Sequence, residues 1–147
     1  MLKNPSLVTR IAIGKFIGFI IGLAGFVLMP AFFPDASLLE RTGILLWYTT
    51  MGAFVGLSGV FTWHPILKAR LHWWLRSSLV GAWMNLALTL LMFPRLNEWM
   101  QQISLANGFF VSPFWFVVEG ALVALIIEYC CLKGGGEGIQ TCLEEQH

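Results

Sequence analysis

Residues Ile11–Pro30 read IAIGKFIGFIIGLAGFVLMP. A single charge, Lys15, interrupts the run, whose length matches the roughly 20 apolar residues that a helix needs to cross a bilayer core. At about 100° per residue, Gly14, Gly18, Gly22 and Gly25 fall within about 80° of one another. Glycine stripes of this kind let membrane helices approach backbone to backbone, because lipid offers no hydrophobic drive for association. This stretch therefore predicts a transmembrane helix with a glycine zipper, ended by Pro30. Its N-terminal flank is basic, but no small-residue cleavage site follows, so it is expected to be retained rather than removed as a signal peptide.

The whole chain agrees. Of its 147 residues 57% are apolar and 12% charged, against about 25% charged in ordinary soluble domains. Three further stretches are long and apolar enough to span: about 42–63, 77–93 and 109–132. The last opens at Ser112-Pro113, which suits either a helix start or a kink. The expectation is an all-α integral membrane protein, a four-transmembrane-helix bundle forming one domain over residues 1–133. A flexible tail occupies 134–147, rich in glycine and acid.

Orientation follows from the basic residues. Lys3, Arg10, Lys15, Lys68, Arg70, Arg76 and Lys133 fall on one side of such a bundle, and Arg41 and Arg95 on the other. That asymmetry predicts both termini in the cytoplasm. The short loops suggest a bacterial inner membrane. Cys130-Cys131 would suit S-acylation in a eukaryote and is read here as part of the span.

The second helix carries a stripe of Gly52, Gly56 and Gly59 with Thr49 beside it. On the third, Ser78, Ala82, Asn85 and Thr89 align within about 60°. Depth then sorts the ionisable groups. Glu119 and Asn85 lie at the midplanes of the fourth and third spans, with Thr49 and Thr50 within about 5 Å of that level. Glu128 lies about 11 Å and Lys15 about 8 Å toward the cytoplasm, which predicts an ion pair between them, with Arg76 as another neighbour. Nine residues separate the two acids, so they leave their helix on opposite faces and do not form an acid–base pair. Glu119 shares its face with Ser112, Phe116, Val123 and Ile126.

A charge in mid-membrane costs about 2.5–3.5 kcal/mol or more. Glu119 therefore either stays protonated and donates to a neighbour, or exchanges a proton or cation, or meets a base on a partner's helix. Glu119, Asn85 and Thr49 form the candidate polar site.

The loop Trp63–Ser78, WHPILKARLHWWLRSS, mixes cations and indoles as headgroup regions do. Lys68, Arg70, Trp73, Trp74 and Arg76 are its expected lipid contacts. His64 and His72 lack the further ligands that a metal needs. Leu96, Trp99, Met100 and Ile103 recur at i, i+3, i+4 and i+7, predicting a short amphipathic helix on the opposite interface. The other connection on that side, PAFFPDASLLER, is also apolar-faced.

No HExxH, GxSxG, phosphate-binding or dinucleotide motif occurs, so no cofactor is implied and catalysis has the least support. Three basic residues beside a membrane do not suit nucleic acid. The expected partners are the lipid bilayer and a membrane protein or further copies of this chain. Two functions remain. The first is an accessory, assembly or scaffold subunit acting through helix–helix contacts. The second is an oligomeric transporter or ion- or proton-coupled protein with Glu119 as its site. Nothing in the four spans suggests an inverted repeat with broken helices.

Overall fold

The computed structural model describes residues 6–61, 63–64, 69–107 and 112–136. Lys3, Lys68, residues 109–111 of the expected fourth span and the tail from 137 onward lie outside the described residues. Among those described, the chain is helical: α1 (Leu7–Phe32), α2 (Leu38–Ser58), α3 (Trp73–Leu91), α4 (Phe93–Asn107) and α5 (Trp115–Gly135). A two-residue antiparallel pairing, β1 (Trp63–His64) with β2 (Ala69–Arg70), lies between α2 and α3. Helices α1 and α5 are long and apolar enough to cross a membrane, and α3 with α4 adds a third candidate if that pair, bent by 98°, is one path. Helix α2 matches α5 at 21 residues but is more polar, with Glu40, Arg41, Thr42, Thr49 and Thr50. Apolar helices of this length are consistent with membrane localisation.

Helix α1 starts at Ser6, whose hydroxyl accepts from the Thr9 amide at 3.4 Å, an ordinary N-cap. It does not stop at Pro30 as the sequence suggests, but runs on to Phe32. A proline within a helix leaves the carbonyl four residues earlier without its donor, here that of Phe26. Arg41 supplies a replacement, its Nε donating to Phe26 O at 2.9 Å while its guanidinium lies over the Phe26 ring. Helix α2 opens with a capping box: Ser37 Oγ accepts from Glu40 N at 3.2 Å, and the Glu40 carboxylate accepts from Ser37 N at 2.7 Å.

The glycines set the packing. A Cβ at Gly14 would strike the Gly52 carbonyl and one at Gly18 the Tyr48 carbonyl; at Gly22 it would lie 2.7 Å from Leu45 O. Backbone meets backbone along the antiparallel α1–α2 seam. A second seam, which the sequence does not signal by a GxxxG spacing, joins α3 to α5 through Gly81 and Gly120. Its buried α3 row is Ser77, Gly81, Asn85, Leu88 and Thr89, one residue off the expected Ser78–Ala82 face at its start. Helix α5 also contacts α1 and α2. Met51, Val55, Ala124, Ile127 and Cys131 are buried where these helices meet.

Two ends differ from expectation. Helix α5 continues through Gly134 and Gly135, residues expected in the tail, because Ile13 and Arg10 of α1 pack against them. It ends at Gly136, whose φ of 71° suits glycine. At the far end, Pro94 stands where α3 gives way to α4. The apolar side of α4, expected on the interface, packs at least in part on the protein itself. Leu96, Trp99 and Met100 are buried, with Leu96 and Trp99 packed against Met29 of α1, and Phe33 stacks on Trp99 with ring centroids 5.2 Å apart. The helix is amphipathic because it roofs the bundle.

Arg95 on α4 fastens this roof, bonding Glu40 Oε1 at 2.6 Å, Glu98 at 2.9 Å and Asp35 at 3.2 Å. That hydrogen bond to Arg95, helped by the Ser37 backbone and hydroxyl, holds the Glu40 carboxyl down at about 2 from an ordinary 4.5. A folded-state pKa below the unfolded one adds stability that is complete above 4.5 and is lost as pH falls toward 2. The melting temperature of the detergent-purified protein should therefore drop through this acid window. Glu40→Gln should flatten that drop, and an unchanged acid limb would show that the Arg95 contact contributes nothing.

Candidate functional site

Two carboxylates lie within the helical bundle, in different surroundings. Glu128 on α5 is fully buried between two arginines. Arg10 of α1 places Nη2 at 2.8 Å from both Glu128 oxygens, and Arg76 of α3 places Nη2 at 2.6 Å from Oε1. Arg10 also donates through Nε to Gly56 O at 3.1 Å and through Nη1 to Gly136 O. One guanidinium thus ties α1, α2 and the end of α5 together, using the fixed fork that lysine lacks. The expected Lys15–Glu128 pair does not form. Lys15 is exposed, because one residue beyond Gly14 turns it about 100° off the packed face. Arg76, expected among headgroups, is instead buried on Glu128; Arg70 and Trp74 are exposed and Trp73 is partly so.

Glu119, about two and a half turns away on α5, has neutral company. Asn85 Nδ2 donates to its Oε2 at 2.8 Å, the contact expected from depth. The Tyr48 hydroxyl lies 2.8 and 2.7 Å from its two oxygens. Asn85 is oriented from both sides: Trp47 Nε1 donates to its Oδ1 at 2.9 Å, and its Nδ2 also donates to Phe116 O at 2.8 Å. An indole N–H can only donate and a carbonyl can only accept, so the amide cannot be turned round. Asn85 is therefore a fixed donor to Glu119. The phenol is not fixed, since a hydroxyl donates to a carboxylate or accepts from a carboxylic acid. The site can hold Glu119 with or without its proton, and no ion pair to it occurs among the described residues.

Thr49, the third expected member, turns away and donates to Leu45 O of its own helix. Tyr48 takes its place. Four and three residues before Gly52, Tyr48 and Thr49 flank the glycine row almost equally, so the row alone does not choose between them.

Partly buried Glu119 also borders two cavities. One, of about 240 Å³, lies among Tyr48, Met29, Phe33, Trp99 and Phe116. The other, of about 410 Å³, lies among Met100, Ile103, Trp115, Phe116 and Leu122. Exposed Leu28 and Phe32 stand at the rim of the first, and exposed Trp115, Val118 and Leu122 at that of the second. Both therefore reach the apolar outer surface. The glycines Gly14, Gly18, Gly22, Gly25, Gly52, Gly56 and Gly59 all serve contacts inside the chain, Gly59 against the Arg10 guanidinium. Comparison with known proteins finds no matching family model, no matching curated protein and no matching solved structure, so the functional reading stands on this geometry.

Proposed function

We propose that this is a four-span protein of the bacterial inner membrane, with both termini cytoplasmic, that works through Glu119 as an intramembrane proton- or ligand-binding group. The observation that supports it is the contrast between the two acids. Glu128 is enclosed and neutralised by arginines, whereas Glu119 is held by neutral donors beside cavities that reach the lipid-facing surface. An intramembrane ionisable group kept without a structural counter-charge is a functional site by default. The seven cations and the exposed Trp74 support the orientation.

A lipid-soluble carbodiimide, which adds to carboxylic acids within membranes, tests this. Mass spectrometry of the treated protein should find modification at Glu119 and none at Glu128, and Glu119→Gln should abolish it. Glu119→Gln should nonetheless accumulate and insert normally, because the amide keeps the shape and can still meet Tyr48 and Asn85. Failure of that variant to accumulate, or labelling confined to Glu128, would sink the reading.

The accessory or scaffold reading has a different support, an apolar groove of about 520 Å³ between α2 and α3 beside exposed Trp83 and Phe54. It predicts a second membrane protein co-purifying at fixed stoichiometry and lost on Trp83→Ala.

A further inference from the structure

We propose that α4 is a hinged lid between the water on the Arg95 side and Glu119, with Arg95 as its latch. This rests on Glu119 being the working group, and adds how water and its protons are let in to it. The layering is read from α4 itself. Glu98, Gln101 and Gln102 on one side of the helix are exposed. On the other side Trp99 borders the smaller cavity, Met100 and Ile103 border the larger, and Glu119 lines both. A water-soluble species coming from the Glu98 surface therefore meets α4 before it meets Glu119. The rims of the cavities open instead on apolar surface, through Leu28, Phe32, Val118 and Leu122. A charged species in water does not take that route through hydrocarbon.

Three features suit a part that moves. A single residue, Met92, with non-helical φ and ψ of −113° and 22°, joins α3 to α4. Pro94, two residues on, lacks the N–H that would carry the helix across the 98° bend. The latch is polar and lies toward the surface: Arg95, 28% exposed, bonds Glu40 of α2 and Asp35 of the α1–α2 connection. Ion pairs with that much access to water break at small cost. Closed, the lid also leaves a donor unmade. The Trp99 indole nitrogen is buried with no hydrogen-bond partner among the described residues, and such a donor is costly. Lifting α4 brings that N–H to water, which offsets part of the cost of exposing Leu96 and Met100.

Two carbodiimides test this on the full chain in lipid vesicles, one lipid-soluble and one water-soluble, the latter supplied on both sides. The latch stays charged at the mildly acid pH these reagents need, because the Arg95 hydrogen bond holds the Glu40 carboxyl down at about 2. Arg95→Gln should raise the rate at which the water-soluble reagent labels Glu119 by about fivefold, the scale of a few partly exposed ion pairs. Lipid-soluble labelling should stay unchanged. Glu40→Gln keeps the helix cap and should give a smaller rise; it decides the matter if Arg95→Gln fails to accumulate. Lys15→Gln, exposed and outside the latch, should match the parent. Exposed Glu98 reports delivery of the reagent, and Glu128, enclosed by its arginines, reports loosening of the whole bundle. Equal Glu119 rates in the parent and the latch variants overturn the proposal, as does a rise shared by Glu128. Lipid-soluble labelling of Glu119 with no latch effect removes the lid and leaves the functional reading; a latch-dependent rise without lipid-soluble labelling removes that reading and keeps the lid.

Discussion

Glu128→Ala should leave little folded protein in the membrane. The substitution removes the acceptor shared by Arg10 and Arg76, both almost wholly inaccessible. Removing one partner of a buried ion pair costs about 3–5 kcal/mol, because the surviving charge stays buried without compensation. Here two cations survive one deletion. A typical domain has only about 5–15 kcal/mol in total, so a loss of this size reaches the limit of stability. Arg10→Met should be nearly as severe, since Arg10 alone also holds Gly56 O and Gly136 O. Lys15→Met, on an exposed position one turn further along α1, should change little. Quantifying each variant in isolated membranes, with melting temperatures for those that accumulate, checks the ranking. Were Glu128→Ala as abundant and heat-stable as the parent, the triad would not hold the bundle together.

This ranking reverses what depth alone suggests, and the reversal shows how far the sequence reaches. Depth along a helix is readable from residue number, and it found Asn85 for Glu119. Rotation about the helix is readable only where a marked face exists. Gly14 marks one, and Arg10 lies four residues before it on that face, but it sits just outside the apolar run and so reads as a flank. Tyr48 precedes Gly52 in the same way, but Thr49 flanks that row almost equally, so the row does not choose between them. Isolated Gly81 and Gly120 mark no face by themselves, so the α3–α5 seam emerges only when two helices are placed together. The roofing by α4 was hidden for another reason: an apolar stripe of Leu96, Trp99 and Met100 looks the same whether it meets lipid or protein. Pro94 signalled a break without giving its angle of 98°.

Gly18→Leu should disable the Glu119 site as well as the α1–α2 seam. A Cβ at Gly18 meets the carbonyl of Tyr48, the residue whose hydroxyl holds Glu119. Overpacking a core costs about 1–3 kcal/mol where side chains can shift. Here the obstacle is the backbone of another helix, so the cost should reach or exceed about 3 kcal/mol. Gly56→Leu meets the Arg10 carbonyl at 2.7 Å and should act on the triad instead, lowering stability while leaving Glu119 chemistry in the surviving protein unchanged. Gly43→Ala is the control, since nothing lies within 4 Å of its Cβ position. It should stabilise α2 by up to about 1 kcal/mol through helix propensity. Melting curves order the three variants, and carbodiimide labelling separates the first two. Normal labelling in a folded Gly18→Leu protein would mean that Tyr48 does not depend on the seam. The same close approach that glycine permits at residue 18 would then serve packing alone, and the position of Glu119 would be set by α3 and Asn85.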